Sequence, residues 1–163
     1  MDPRLTPLTE ILRLNTKLFR NCLSGLTDEQ LRTRPSESTN SAAYIAAHLA
    51  EARYSMLDLV GAKQPSPLAS YLAGARGISD VKQWPSLNEI QGAWTTASHA
   101  LRDRLDAVTA AELDAKINVP FPVPVGDPTL LSMLTFFVQH DSYHIGQLAL
   151  LRKQAGLPAM QYV

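Results

Sequence analysis

Residues 129–155 read TLLSMLTFFVQHDSYHIGQLALLRKQA and form the most strongly specified helical segment of the chain. Apolar residues recur in it at spacings of three and four, which is the period of a helix with one buried face. Asp127 is the expected N-cap, Pro128 the expected first helical residue, and Gly156 with Pro158 the expected stop. A helix of this kind needs other helices to cover its apolar face.

Three further long segments have the same helical period. The first begins at Leu5 and continues to about Cys22, the second runs from near Ser41 to Gly61, and the third follows the capping-box pair Ser86 and Glu89 and reaches about Val108. A short helical turn is also expected after Thr27, with Gln30 completing a second capping box before Pro35.

Two connections are rich in residues that interrupt helices. Residues 61–85 contain three prolines and three glycines, and we expect them to form a long crossover between the second and third helices. Residues 117–126 read INVPFPVPVG, whose alternating prolines exclude a helix or a central strand and favour an extended or edge-hairpin segment. The sequence therefore predicts an all-α fold, a four-helix bundle with one core, and a single domain over residues 1–163.

Charge and cysteine content exclude several classes of function. Lys plus Arg and Asp plus Glu both number 15, so no excess positive charge is present to hold a nucleic acid. Cys22 is the only cysteine, which rules out an internal disulfide and a multi-thiolate metal site. No segment is apolar enough to span a membrane, and the opening MDPRLTPL has no signal-peptide pattern, so we expect a cytoplasmic protein without membrane contact.

Histidines on apolar helix faces are the strongest functional pattern. His140 and His144 are four residues apart, which places both imidazoles on one face with Cβ atoms roughly 5–6 Å apart. His48 lies on the inward face of the second helix and can approach them, because bundle interiors often build sites from facing helices. A divalent metal ion would satisfy all three rings. The spacing leaves open a metal-free core in which the histidines bond to carbonyl or carboxylate groups.

Two stretches resemble the DinB and YfiT-like superfamily: HLAEARYSML at 48–57 and HDSYHIGQLALLRKQAGLP at 140–158. The resemblance implies a DinB-like four-helix bundle in which His48, His140 and His144 bind one metal ion. Members include thiol-dependent S-transferases, maleylpyruvate isomerase-like proteins and many proteins of unknown activity. The resemblance therefore implies a metal-dependent enzyme that is S-transferase-like or hydrolase-like, with a small-molecule substrate such as a low-molecular-weight thiol. The alternative is a non-catalytic, metal-stabilised binding or stress-associated module.

The carboxylates Glu51 and Asp141 are the candidates to hold the second ring nitrogen of a metal-bound histidine, because each lies within three residues of one. The alternative is a solvated or salt-bridged carboxylate, for example Glu51 with Arg53. If one carboxylate instead bound the ion directly, the site would approach the two-histidine, one-carboxylate pattern.

The remaining expectations concern the ion and other reactive residues. Imidazole ligands suit several metals, and zinc or nickel is the prediction. His99 falls off the apolar stripe of its helix and is expected to face water, while Cys22 is expected to pack in the core. Trp84, Trp94 and the Phe136–Phe137 pair receive no functional role. A homodimer is expected because helical bundles of this size often form one, although no interface can be named.

Overall fold

The computed structural model describes residues 1–75, 77–118 and 125–162, in which helices alternate with turns and irregular connections. Within these residues there is no strand, only one isolated antiparallel bridge between Lys116 and Thr129. The predicted all-α class is confirmed. The helices are α1 (Thr6–Leu23), α2 (Asp28–Arg32), α3 (Ala42–Leu59), α4 (Ala69–Leu72), α5 (Leu87–Leu105), α6 (Ala110–Asp114) and α7 (Leu130–Gln154), with 3₁₀ turns at Pro3–Leu5 and Ile78–Asp80.

Capping residues set most of the helix starts where the sequence predicts them. The Thr27 and Ser86 hydroxyls accept the backbone N–H of the third helical residue of α2 and α5, and both capping boxes are complete. These bonds satisfy N–H groups that a helix start leaves without an intrahelical partner. At the other end, Gly25 and Gly156 adopt φ of 78° and 81° just beyond α1 and α7, a conformation that glycine takes without steric cost.

The start of α7 differs from the prediction. Thr129 is the N-cap rather than Asp127, and it forms a capping box with Ser132, so Pro128 lies outside the helix. The cause is a tertiary contact: the Ile117 N–H donates to the Pro128 carbonyl at 2.8 Å. This pairing holds Pro128 outside the helix, which begins after Thr129. Of the predicted extended segment 117–126, residues 119–124 lie outside the described residues.

The four long helices share one hydrophobic cluster that includes Phe19, Leu49, Trp94 and Leu148. Helices α1 and α3 each pack against both α5 and α7, and they make no comparable contact with each other. The α3–α7 interface and the α1–α5 interface therefore lie on opposite sides of the bundle. The single domain predicted from length stays a prediction, to which this shared core lends physical support.

The connection between α3 and α5 contains α4 and the second 3₁₀ turn. It is held to the bundle by Leu68, which is fully buried, and by Ser66, whose hydroxyl donates to Glu51 on α3. Its length agrees with the predicted long connection, while its path as a crossover stays a prediction. None of the described helices has both the length and the apolar character required to cross a bilayer.

Candidate metal centre

Three histidines converge at the α3–α7 interface. His48 lies on α3, and His140 and His144 lie one turn apart on α7. One nitrogen from each ring can be chosen so that all three lie within 4.8 Å of one another. The two Nε2 atoms of His48 and His140 are 2.9 Å apart. The structure therefore brings together the three residues that the sequence singles out.

The nitrogen separations suit a small metal ion. At zinc–nitrogen distances of about 2.0–2.1 Å, neighbouring ligands are about 2.8–3.0 Å apart in an octahedral arrangement and about 3.3–3.4 Å apart in a tetrahedral one. The separation of 2.9 Å between Nε2 of His48 and Nε2 of His140 matches the octahedral distance and is a few tenths of an ångström short of the tetrahedral one. All three rings are half-buried, so the cluster is not sealed inside the core. The donor set fits a divalent cation with open coordination positions.

Burial keeps two of the rings in the form that binds metal. It lowers the pKa of His48 to about 4, with a smaller lowering from the neighbouring His144. Burial likewise lowers the pKa of His140 to about 4, and the neighbouring His48 and His144 lower it by smaller amounts. Because desolvation disfavours the imidazolium, these two rings are neutral at pH 7 and offer lone pairs to a cation.

Gln147 holds the third ring in position. The Oε1 atom of Gln147 lies 2.6 Å from Nδ1 of His144, and its Nε2 donates to the Tyr143 hydroxyl at 3.2 Å. Since a carbonyl oxygen can only accept, Nδ1 of His144 carries the proton and Nε2 is left free as a ligand. Sequence reasoning missed Gln147. The i, i+3 spacing from His144 on a firmly predicted helix was the signal that could have found it.

The two carboxylates proposed to hold ring nitrogens have other partners. Asp141 Oδ2 accepts from Arg53 Nε at 2.8 Å, and Glu51 accepts from the Ser66 hydroxyl. In the described part of the chain neither accepts a hydrogen bond from a histidine, and Nδ1 of His140 is buried without a partner. The salt-bridge alternative therefore holds for Asp141. The example of Glu51 paired with Arg53 was wrong, because Arg53 turns into the core.

Arg53 and Asp141 form a buried ion pair beside the histidines. Their side chains are 1% and 0% exposed. Arg53 also stacks on the Trp94 ring at 4.2 Å and donates from Nη2 to the Leu12 carbonyl at 3.5 Å, so it contacts α1, α5 and α7 from its place on α3. Burial raises the pKa of Asp141 to about 6, against the lowering effect of Arg53. The pair ties α3 to α7 next to His140.

Aromatic rings border the histidine cluster. Tyr44 lies 6.4 Å from the His48 ring, and Trp84 contacts Tyr44 edge-on at 6.5 Å. The Phe136 ring lies 6.2 Å from that of His140. Phe136 therefore borders His140 directly, and Trp84 lies one ring further out, against Tyr44.

The other residues considered in the sequence analysis lie away from the histidine cluster. Trp94 is fully buried and stacks on Phe19 at 4.2 Å, so it belongs to the core. His99 is exposed on α5, as predicted. Cys22 is buried, and burial raises the pKa of its thiol to about 11, which confirms the expected packing role.

Solved structures with the same fold include two DinB-like proteins. The one from Bacillus cereus is 21% identical, with 93% of each chain covered and a TM-score of 0.72. The one from Bacillus subtilis is 13% identical, with 96% of each chain covered and a TM-score of 0.69. A conserved protein from Enterococcus faecalis is 16% identical over 95% of this chain and 98% of its own, with a TM-score of 0.73. At these identities the likeness establishes the fold.

The sequence itself provides the family assignment. No curated protein matches the chain. The sequence model of the DinB superfamily, however, matches residues 11–148, which include His48, His140 and His144. Because this match extends from α1 into α7 and spans most of the sequence, the chain belongs to the DinB superfamily.

Proposed function

We propose that His48, His140 and His144 bind one divalent metal ion, zinc or nickel, and that the chain is a metal-dependent enzyme. The observation that carries the proposal is the convergence of three ligand nitrogens within 4.8 Å of one another. Two of the rings are neutral because burial lowers their pKa to about 4. Three neutral protein ligands leave positions open for water or substrate, as in catalytic zinc sites.

Such an ion would act as a Lewis acid and lower the pKa of a water or thiol that binds to it. The protein supplies the surroundings. Gln147 fixes the proton of His144 on Nδ1, and the rings of Tyr44 and Phe136 border the cluster with apolar surface. Glu51 lies one turn beyond His48, and burial raises its pKa against the lowering effect of the Ser66 hydrogen bond. It is a candidate to take up or release a proton beside the site.

The substrate class follows from that chemistry and from the family. We propose a small molecule that reacts with an activated thiol or water, which gives either thiol-dependent S-transfer or hydrolysis of an ester or amide. The known S-transferases of the superfamily favour a low-molecular-weight thiol as one reactant. The half-buried rings favour a small substrate, because none of the three histidines is fully exposed.

Turnover by defined metal-loaded forms tests the proposal. Protein purified without a histidine tag is stripped with a chelator, reloaded with zinc or nickel, and assayed for thiol conjugation and for ester and amide hydrolysis. We expect the loaded wild type and His99→Ala to be active, and the metal-free wild type and loaded His140→Ala to lose activity. His99 is a matched control because it is an exposed histidine on α5. The enzyme hypothesis fails if the metal-loaded wild type turns over substrate no faster than the metal-free protein does.

The alternative is a non-catalytic module in which the ion only stabilises the bundle. Its physical motive is that three half-buried imidazoles need partners, which one ion bound to a nitrogen of each ring would supply without any turnover. A large rise in melting temperature on metal addition, with no turnover and no exchangeable water at the ion, would favour it. The homodimer expected from the sequence stays a prediction that sedimentation can test.

A further inference from the structure

A groove of about 420 Å³ lies between α1 and α5, on the side of the bundle opposite the histidine cluster. Leu12, Leu101 and Leu105 give it apolar walls. Ser98 and Arg53 also line it, although their exposed fractions are only 6% and 1%. The groove therefore combines hydrocarbon walls with two deeply buried polar groups, which is the usual make-up of a small-molecule site.

Both buried groups have donor capacity that the protein does not use. The Ser98 hydroxyl has no hydrogen-bond partner in the part of the chain that the structure describes. Arg53 uses Nε for Asp141 and Nη2 for the Leu12 carbonyl, and within residues 1–75, 77–118 and 125–162 its Nη1 makes no hydrogen bond. Buried polar atoms are nearly always paired, so the unpaired Ser98 hydroxyl, together with the unused Nη1 of Arg53, indicates an acceptor that is not part of the chain.

The charges around the groove favour an uncharged acceptor. The positive charge of Arg53 is already balanced by Asp141. The two rim arginines, Arg13 and Arg102, are each paired with a carboxylate of their own helix at 2.7 Å. A carboxylate ligand would therefore bring a partly buried negative charge next to a guanidinium whose charge Asp141 already balances, which is costly. A neutral carbonyl oxygen accepts hydrogen bonds without that cost.

We infer that the α1–α5 groove binds a small uncharged molecule whose carbonyl oxygen accepts hydrogen bonds from Ser98 Oγ and Arg53 Nη1. Its hydrocarbon part packs against Leu12, Leu101 and Leu105. None of the three proposed metal ligands lines this groove, so binding here does not require the metal.

Two probes of the same chain length test the inference: hexanamide, which is neutral, and hexanoate, which is charged. Each is titrated into the full chain while the leucine methyl groups are followed by NMR. We expect hexanamide to shift the methyls of Leu12, Leu101 and Leu105 saturably, and hexanoate to bind at least about fivefold more weakly. Ser98→Ala should weaken hexanamide binding about three- to tenfold through the lost hydrogen bond. Ser55→Ala, at an exposed position of α3, is the matched control and should bind as the wild type does.

A second variant keeps the test decisive if Ser98→Ala changes the packing. His99 is an exposed lining residue, so His99→Trp can fill the groove without altering the core, and it should abolish the shifts. The inference is overturned if hexanamide at about 10 mM shifts none of the three leucines, since ordinary binding in the millimolar range would then be absent. It is equally overturned if hexanoate binds as well as hexanamide, or if the Ser98→Ala and His99→Trp variants bind like the wild type.

Discussion

Removing the carboxylate of Asp141 should destabilise the folded chain by about 3 to 5 kcal/mol, because it leaves the Arg53 guanidinium buried without its counter-ion. Arg53 is 1% exposed and lies 2.8 Å from Asp141, so losing that carboxylate leaves a deeply buried cation. The contact with the Trp94 ring at 4.2 Å is present in both proteins and cancels in the comparison. For Asp141→Leu we therefore expect a loss of about 3 to 5 kcal/mol.

A double variant separates the free energy of the lost ion pair from the cost of leaving the Arg53 charge buried without a partner. Arg53→Met combined with Asp141→Leu removes both charges, and replacing a whole buried pair by apolar groups is often neutral. We expect the double variant to lie within about 2 kcal/mol of the wild type and to be more stable than Asp141→Leu alone. Asp103→Leu serves as the surface control, since its ion pair with Arg102 is 66% exposed on both sides and should matter by less than about 1 kcal/mol.

Urea unfolding of the metal-free protein, followed by tryptophan fluorescence and circular dichroism, measures these free energies. The slope of the free energy against urea should be unchanged, so that shifts in midpoint report stability. The reasoning is refuted if Asp141→Leu costs less than about 1 kcal/mol, or if the double variant is as unstable as the sum of the two single variants.

Three further results are expected. In the metal-free protein the rings of His48 and His140 should remain neutral as the pH falls through 6.5 and protonate only near pH 4, which NMR titration of the ring protons can follow against the urea-unfolded chain. Gln147→Ala should weaken zinc binding about 10- to 100-fold in calorimetry, because the proton on Nδ1 of His144 loses its acceptor. Ser98→Ala should raise the free energy of unfolding by about 1 kcal/mol, because it removes a buried hydroxyl that has no partner among the described residues, and a loss of stability in urea would contradict this.

These predictions have internal controls. Because their folded pKa values lie below the unfolded value of 6.5, His48 and His140 contribute stability that is present above pH 6.5 and lost as the pH falls towards 4. Asp141, whose pKa is raised, contributes stability that is lost as the pH rises from 3.8 to about 6, so site-resolved titration is needed to separate the groups.

For Gln147, the exposed Gln139 on the same helix is the matched control. Equal zinc affinity of the Gln147→Ala and Gln139→Ala variants would show that the His144 contact is dispensable.

The parts of the fold that depend on local information could be predicted from the sequence. The capping boxes that begin at Thr27 and Ser86 each span only four consecutive residues, so local sequence is enough to find them. Helical periodicity located the four long helices to within a few residues. The start of α7 was misplaced because Asp127 and Thr129 are both good caps. The choice between them is made by Ile117, which pairs with Pro128 across a connection that no local pattern describes.

In the candidate site, too, contacts within one helix could be predicted, whereas contacts between helices could not. His140 and His144 could be placed on one face because both lie on one helix, and Gln147 was within reach of the same spacing rule. The Arg53–Asp141 pair joins residues 88 positions apart, and nothing in the periodicity of either helix indicates it. The unused donors of the groove likewise appear only once α1, α3 and α5 are packed together.

Anomalous X-ray diffraction at the zinc absorption edge tests the central claim most directly. Crystals of protein purified without a histidine tag and supplied with zinc should give one strong peak about 2.0–2.1 Å from a nitrogen of each of His48, His140 and His144. A peak held by other residues, or no peak at all at these three rings, would contradict the metal centre and the function proposed from it.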